Sequence, residues 1–233
     1  MIALSIVIIT FNSEKYLEEV LKSCLFADEV VVVDSGSHDN TITIAQSFPN
    51  VTLVQQPWLG FGLQKQKGVD LARHDWVFVL DSDEVITQAL QEEIIFTCKS
   101  FTCKGYFVPR INYFFGKPIK RMGLYPDATL RLFDRKSAHF SESAVHEKVI
   151  LDGESTQLQS PMLHYAYDTI EQFIAKQNRY SSLGAKHNFL KALLNPSWTF
   201  FKLFILKGGI LEGWRGYVIA KLYAQYTFWK YIK

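Results

Sequence analysis

The feature that most constrains the fold is an alternation of short apolar segments and helical patterns over roughly the first hundred residues. The apolar segments are rich in β-branched residues and lie at Leu4–Thr10, Val30–Val33, Val51–Val54 and Trp76–Leu80. Each is followed by a turn and then by apolar residues three or four apart, which is typical of an amphipathic helix. Repeated strand, helix and strand form βαβ units, whose strands lie parallel in a sheet covered on both faces. The sequence therefore predicts an α/β fold with a mostly parallel sheet flanked by helices.

The pattern changes after residue 104. Short strand-like pieces follow at Gly105–Pro109, Thr129–Phe133 and Ser137–Ile150, and the loops between them contain proline and glycine, which favours antiparallel or mixed pairing. A helical stretch is predicted near Asp168–Leu190. We expect a main domain over residues 1–195, with halves at 1–104 and 105–195, followed by a helical tail over 196–233.

Composition excludes several classes of protein. The chain has 233 residues, of which 48% are hydrophobic, so it can bury a sizeable core. Its 25 Lys and Arg against 23 Asp and Glu give a net charge of +2, which is too balanced for a dedicated nucleic-acid binder. The three cysteines contain no C-x-x-C pair, so neither a disulfide framework nor a zinc ribbon is expected. No apolar run of about 18 residues occurs, and the N-terminal segment lacks the basic start of a secretory signal, so we expect neither a membrane-spanning helix nor a signal peptide.

Polar clusters follow three of the predicted strands. They are Thr10-Phe11-Asn12, Asp34-Ser35-Gly36-Ser37 and Asp81-Ser82-Asp83. The carboxyl ends of parallel strands meet at one edge of a sheet, where ligands bind in open α/β folds. Two aspartates one residue apart supply the carboxylate oxygens that Mg²⁺ or Mn²⁺ prefers, and phosphates and water can complete the coordination of either ion.

Other ligand motifs are absent from these positions. No G-x-G-x-x-G follows the first strand and no P-loop occurs, so neither a Rossmann dehydrogenase nor a P-loop NTPase is supported. The competing enzyme hypothesis is a phosphatase of the haloacid-dehalogenase type, in which Asp81 would be the nucleophile and Asp83 the general acid. Such enzymes usually open with this strand and need a late acidic pair, and neither feature is found here.

The three clusters and their surroundings resemble the successive motifs of family-two glycosyltransferases of the GT-A fold. The resemblance is carried by Ser5-Ile-Val-Ile-Ile-Thr-Phe-Asn12, Val31-Val-Val-Asp-Ser-Gly-Ser-His-Asp-Asn-Thr41 and Phe78-Val-Leu-Asp-Ser-Asp-Glu84. Further on, Arg131-Leu-Phe133, Val145-His-Glu147, His164-Tyr165 and the aromatic, basic tail resemble bacterial lipopolysaccharide core β-1,4-glucosyltransferases that act on the inner heptose. This resemblance implies an inverting enzyme that uses a nucleotide-sugar donor, UDP-glucose, and a divalent cation, Mg²⁺ or Mn²⁺.

The resemblance also implies roles for individual residues. Residues 1–104 would hold the donor nucleotide, through Thr10, Phe11, Asn12, Asp34, Ser35 and Asp81, and residues 105–195 would form the acceptor side. Asp81 and Asp83 would form the D-x-D element, with Asp83 as the direct metal ligand. Many relatives have two consecutive acids after the second strand, whereas here Ser35 follows Asp34, and its hydroxyl can hydrogen-bond a base edge.

Acceptor-side roles fall on a second group of residues. Inversion in a single displacement needs a base that takes the proton of the acceptor hydroxyl. The resemblance places this base at Glu147. The neighbouring His146 is the alternative base, because imidazole titrates near neutral pH. Arg131, Lys176 and Arg179 are candidates for contact with a phosphate or an anionic acceptor, and each is also readable as an ordinary surface residue.

The tail has its own composition. From Pro196 onward it carries six Lys and Arg against one acid, together with eleven aromatic residues, which is typical of helices that lie in a membrane interface. This composition, together with the lipid-linked oligosaccharide acceptor that the resemblance implies, favours a cytoplasmic enzyme bound peripherally to the inner face of the cytoplasmic membrane. A helical hairpin packed on the domain or on another subunit is the alternative, and a non-catalytic, membrane-docked interaction protein is a third hypothesis for the whole chain.

Overall fold

The computed structural model describes residues 2–141 and 147–233. It divides the chain into two compact units. Unit 1 comprises the chain up to Arg110 together with Ala128–His164, and unit 2 comprises Ile111–Asp127 and Tyr165–Lys233.

The N-terminal part alternates strands and helices as predicted. Its elements are β1 (Ile2–Thr10), α1 (Glu14–Ser23), β2 (Ala27–Asp34), α2 (Thr41–Gln46), β3 (Val51–Gln55), α3 (Phe61–Leu71), β4 (Trp76–Asp81), β5 (Glu84–Ile86), α4 (Gln88–Thr97) and β6 (Gly105–Val108). The remaining elements are β7 (Arg110–Phe114), β8 (Lys117–Ile119), β9 (Thr129–Asp134), β10 (Ala138–Phe140), β11 (Val149–Leu151), β12 (Ser155–Gln157), β13 (Met162–Tyr167), α5 (Ile170–Leu183), α6 (Phe189–Phe201) and α7 (Gly213–Ile232).

Unit 1 is built on a seven-stranded sheet in the order β12-β6-β9-β4-β1-β2-β3. Strand β1 pairs in parallel with both β2 and β4, and β2 pairs in parallel with β3. The register sets Thr10 opposite Asp34 and Ile9 opposite Asp81, so the carboxyl ends of these three strands share one edge. The mostly parallel sheet flanked by helices is confirmed.

Helix α3 packs closely on the centre of this sheet because it carries a glycine at the contact. A Cβ added at Gly68 would lie only 2.3 Å from a methyl carbon of Val7 on β1. Val7, Val31, Val69 and Val79 belong to the resulting apolar core. The close approach matters for the site, since α3 also carries the polar residues Gln64 and Lys65, both buried.

The antiparallel pieces lie in the second half, as expected. Strand β9 pairs antiparallel with β4 and β6, and β10 pairs antiparallel with β11. The single strand predicted over Ser137–Ile150 was wrong, because β10 and β11 are two short strands; residues 142–146 between them lie outside the described part of the chain.

Unit 2 is mainly helical. Its core holds Phe114, Met122, Tyr167, Phe173 and Ile219. Helix α5 ends at Leu183 instead of continuing to Leu190, and α6 begins anew at Phe189, where the Asn188 side chain caps it by accepting a hydrogen bond from Lys191 N. The helix therefore starts before Pro196, which lies within it.

After α6 the chain passes through a π-helical turn at Lys202–Leu206 and a 3₁₀ turn at Gly209–Glu212. These turns bring α7 back along α6, and a Cβ added at Gly216 would lie 1.9 Å from the Gly209 carbonyl oxygen. Only glycine allows that backbone contact. Among the residues that the structure describes, no helix has the length and apolar character needed to cross a membrane.

Candidate active site

The first layer of the site is a pair of loops that follow β1 and β2, and Asp34 organises them. Its carboxylate accepts hydrogen bonds from Thr10 Oγ1 at 2.9 Å, from the backbone N–H groups of Gly36 and Ser37 at 2.9 Å each, and from Ser37 Oγ. Asp34 has no exposed surface. Its carboxylate orders the loop after β2, and its predicted contact with the base or ribose stays a prediction.

The same loops offer groups at the surface. Phe11 is 57% exposed, and Asn12 has a positive φ of 49° that aims its side chain at the second loop, where Oδ1 accepts a hydrogen bond from His38 N at 2.9 Å. Ser35 Oγ accepts a hydrogen bond from the buried Gln64 Nε2 at 3.1 Å. The two loops are thus tied to each other and to α3, and they keep Phe11, Asn12 and Ser35 where a ligand can meet them.

The second layer is the carboxylate of Asp81 at the end of β4. Lys65 Nζ lies 2.8 Å from Asp81 Oδ1, and Arg131 Nη2 lies 2.8 Å from Oδ2. The side chains of Lys65 and Arg131 are only 4% and 6% exposed. Burial opposes ionisation of Asp81, but the two cations outweigh it and hold the pKa of Asp81 well below its usual range.

These contacts belong to a longer network of buried charges. Glu84, fully buried, accepts hydrogen bonds from Arg131 and from Arg110 Nη1, and its other oxygen accepts one from Asp81 N at 3.0 Å. At the other end, Lys65 Nζ lies 3.1 Å from Glu147 Oε1. Three carboxylates and three cations therefore alternate from Arg110 to Glu147, and the pairing lets so many charges stay out of water.

Sequence reasoning assigned no role to Lys65, Glu84 or Arg110. The signal for Glu84 is its place directly after Asp83, at the start of β5. No local pattern distinguishes Lys65 from a solvated helix lysine, because its partners come from β4 and from the segment before β11.

Asp83 has a different environment from Asp81. Its side chain is 37% exposed, and its Oδ2 lies 3.7 Å from Nε2 of His164. The pairing of β5 with β13 sets His164 opposite Glu84 and so places the imidazole beside this carboxylate. Within residues 2–141 and 147–233, no group of three or more acidic, histidine or cysteine side chains surrounds a cation position.

A carboxylate and an imidazole nevertheless fit a divalent cation that takes its remaining ligands from a diphosphate and water. Asp81 fits less well as a ligand, since each of its oxygens already pairs with a protein cation. Asp83 and His164 are thus the side chains here whose chemistry suits a divalent cation, and the predicted assignment of Asp83 and Asp81 as metal ligands stays a prediction.

Glu147 lies beside the first turn of α3. A Cβ added at Gly62 would lie 3.4 Å from Glu147 Cβ and 2.3 Å from the carbonyl oxygen of Ser141, so glycine is needed for this contact. The Glu147 carboxylate is 21% exposed. Its rival as the base, His146, lies outside the described residues.

Lys176 and Arg179 belong to α5 in unit 2. Both side chains are exposed, and Lys176 Nζ lies 5.0 Å above the ring of Tyr167. Their contact with an acceptor stays a prediction. Arg131, by contrast, lies inside the charge network.

The family model described as Glycosyl transferase family 2 matches residues 5–141, more than half of the chain. The chain belongs to this family. It is therefore an enzyme that transfers sugars, and the phosphatase and non-catalytic hypotheses are wrong.

Several relatives of this glycosyltransferase match it over nearly its whole length. A lipopolysaccharide core biosynthesis glycosyltransferase, LpsC of Rhizobium meliloti (strain 1021), is 29% identical over 97% of this chain and 89% of its own. An uncharacterised glycosyltransferase of Rickettsia bellii (strain RML369-C) is 30% identical over 99% of this chain and 85% of its own. The crystal structure of S. aureus TarS 1-349 in complex with UDP has a TM-score of 0.53 at 18% identity, covering 99% of this chain and 90% of that one. The fold is thus GT-A-like.

Proposed function

We propose that this glycosyltransferase moves glucose from UDP-glucose to an inner-core heptose of lipopolysaccharide, with inversion at the anomeric carbon and with the help of a divalent cation. The observation that carries the proposal is the placement of Lys65 between Asp81 and Glu147. One buried cation joins the D-x-D element, where a donor diphosphate would lie, to the carboxylate proposed as the acceptor base.

The donor nucleotide is proposed to bind over the loops after β1 and β2. Phe11 and Asn12 are exposed there and Ser35 is half-buried, while the buried Thr10 and Asp34 are joined by a hydrogen bond beneath the loops. Ser35 offers a hydroxyl to the base or ribose. Asp81 is proposed to lie on the nucleotide side, and Lys65 and Arg131 fix its orientation.

The cation is proposed to be held by Asp83, with His164 as a second protein ligand. When bound, it would stabilise the negative charge that grows on the diphosphate leaving group without a proton transfer. Either Mg²⁺ or Mn²⁺ suits a carboxylate ligand, and the imidazole favours Mn²⁺.

Glu147 is proposed to take the proton from the acceptor hydroxyl as that oxygen attacks the anomeric carbon. A base works only within hydrogen-bond reach of the proton it removes, so its position has to be held. Lys65 supplies that hold through its contact with Glu147 Oε1, and is therefore a positioning residue in this mechanism. We propose the same function for Arg131 toward Asp81, instead of the predicted contact with a phosphate or an anionic acceptor.

The acceptor is proposed to be a lipid-linked oligosaccharide at the cytoplasmic face of the membrane. The sequence similarity to LpsC over most of both chains supports a lipopolysaccharide core acceptor. Exposed Lys176 and Arg179 would meet its anionic groups.

A ligand panel tests the donor and the cation together. The melting temperature is measured with UDP-glucose, UDP-galactose, UDP-N-acetylglucosamine and GDP-mannose, each with Mn²⁺ and with EDTA. A ligand that binds only the folded protein raises the melting temperature, so UDP-glucose with Mn²⁺ should give the largest shift. A larger shift with GDP-mannose, or equal shifts in EDTA, would overturn the donor or the cation assignment respectively.

A further inference from the structure

The two units differ sharply in charge. Unit 2 carries thirteen Lys and Arg against four Asp and Glu, a net charge of +9, while the rest of the chain is net −7. The nearly neutral total therefore conceals a strongly basic unit. A charge of this size attracts anionic surfaces, and its effect falls off within a Debye length of about 8 Å at physiological salt.

Unit 2 also exposes a continuous set of large apolar side chains. On α6, Phe189, Leu190, Leu193, Leu194, Trp198 and Phe201 are 43% to 69% exposed. At about 100° per residue these positions cover one side of the helix, and Ala192 on the opposite side is buried. Soluble monomers rarely expose a contiguous apolar patch of this extent unless it binds something.

The turns after α6 extend this surface. Ile205, Leu206, Ile210 and Leu211 are 45% to 67% exposed. We call these four residues, together with the six exposed residues of α6, the docking face. The Gly209 and Gly216 backbones are in contact beneath it, so its turn is held in place by the fold.

Basic side chains border the docking face. Helical spacing places Lys191 and Lys202 along one edge of the α6 stripe. At the turn, Met122 N donates a hydrogen bond to the Lys207 carbonyl oxygen at 2.9 Å, which brings the adjacent Arg121 beside Gly208. Apolar and aromatic anchors with a basic rim match a bilayer interface, where side chains enter the acyl boundary and cations meet lipid phosphates.

We propose that the docking face binds the surface of an anionic lipid bilayer, with α6 lying in the plane of the interface. Charge complementarity selects this occupant over the alternatives. Two copies of a unit with charge +9 repel each other, and lysine is depleted in the cores of protein interfaces. The proposal extends the lipid-linked acceptor proposed above, but its test needs no sugar transfer.

Within the tail, the structure assigns this role mainly to α6 and its turns, since α7 exposes Trp214 and Tyr217 but packs its other side into unit 2. Helix α7 buries Ile219, Ala220 and Ala224. Removing residues 197–233 would therefore take out part of the core of unit 2 along with the docking face, and surface substitutions give the cleaner test.

The full chain is sedimented with vesicles of phosphatidylcholine alone or with about one third phosphatidylglycerol. The docking variants are Leu190→Ser/Leu194→Ser and Lys191→Gln/Lys202→Gln. The matched controls in unit 1 are Phe96→Ser, whose side chain is 74% exposed, and Lys22→Gln/Lys136→Gln, whose side chains are 63% and 68% exposed. Melting curves verify that each variant is folded.

Wild type and controls should bind the anionic vesicles and release them as salt rises. Each lysine near an anionic surface contributes about fivefold in affinity, so the double lysine variant should bind about 25-fold more weakly. The double leucine variant should lose at least tenfold. The proposal would be overturned if wild type did not bind anionic vesicles at low salt, or if neither pair of substitutions weakened the binding. The proposal would also be overturned if light scattering showed that wild type is a dimer, that Leu190→Ser/Leu194→Ser disrupts this dimer, and that wild type does not bind vesicles. A second copy of the chain would then cover the docking face.

Discussion

The Nζ atom of Lys65 lies 3.1 Å from Oε1 of Glu147, although 82 residues separate the two in the chain. The same Nζ lies 2.8 Å from Oδ1 of Asp81. A single buried ammonium thus fixes the relative positions of the two carboxylates to which we assign the donor side and the acceptor side of the reaction.

Removing the Lys65 charge should impair turnover more than donor binding. In Lys65→Met, Glu147 loses its positioning contact, and we expect kcat to fall by about a hundredfold, because a misplaced catalytic group costs about that much. Lys65→Arg keeps the charge and should recover part of the loss. The matched control is Lys67→Met on the same helix. Steady-state kinetics, with the donor Kd measured separately, would contradict the assignment if Lys65→Met kept its kcat.

The cation site predicts a hierarchy among the aspartates. Asp83→Asn should abolish turnover and weaken Mn²⁺ binding in the presence of UDP at least tenfold, and His164→Gln should weaken it in the same direction. Asp81→Asn should reduce turnover strongly with a smaller effect on Mn²⁺. Asp75→Asn, at a half-exposed position, is the control. Full activity in excess EDTA, or in Asp83→Asn, would show that no cation acts there.

Glu147→Gln separates the base from its neighbour. This change keeps the shape of the side chain and removes its capacity to accept a proton, so kcat should fall about a hundred- to ten-thousand-fold while the donor Kd hardly changes. His146→Gln should cost less. If His146→Gln eliminates transfer and Glu147→Gln stays near wild type at saturating cation, the roles are reversed.

The lowered pKa of Asp81 predicts a pH dependence of stability. Lys65 and Arg131 stabilise the ionised Asp81 side chain in the folded protein but not in the unfolded chain. Their contribution to the free energy of unfolding is therefore present above the unfolded pKa of about 4, and it is lost as the pH falls through the pKa of the folded state. The melting temperature of Asp81→Asn should therefore lie below that of wild type at pH 7, and the gap should narrow as the pH is lowered toward 3. A gap that widened on acidification would contradict the ion pairing with Lys65 and Arg131.

The sheet could be predicted closely because its signal is local. Buried parallel strands are continuous apolar runs, and β1, β2, β3 and β4 each contain the predicted segment and extend it by at most three residues at either end. The polar clusters at their carboxyl ends follow from the same reasoning. Both depend on the period and composition of a few consecutive residues.

The charge network could not be predicted, since each of its contacts joins distant segments. Lys65 looks like a solvated helix lysine until α3 is packed on the sheet, and Arg131 looks like a ligand contact until Glu84 is seen beside it. The resemblance places Asp34 against the base or ribose, and nothing local shows that the backbone N–H groups of Gly36 and Ser37 fold back to donate hydrogen bonds to its carboxylate. Likewise, composition marked the tail as a whole, whereas packing separates the buried side of α7, with Ile219 and Ala220, from the exposed side of α6.

The anomeric configuration of the product shows directly whether Glu147 assists a single displacement. The enzyme is incubated with UDP-α-glucose, Mn²⁺ and a heptose-ended lipopolysaccharide core fragment, and the new linkage is assigned by proton NMR from its anomeric coupling. A single displacement assisted by Glu147 predicts a β-glucosyl product, absent with Glu147→Gln over the same time. An α-linked product, or β-linked product formed at the wild-type rate by Glu147→Gln, would contradict the account.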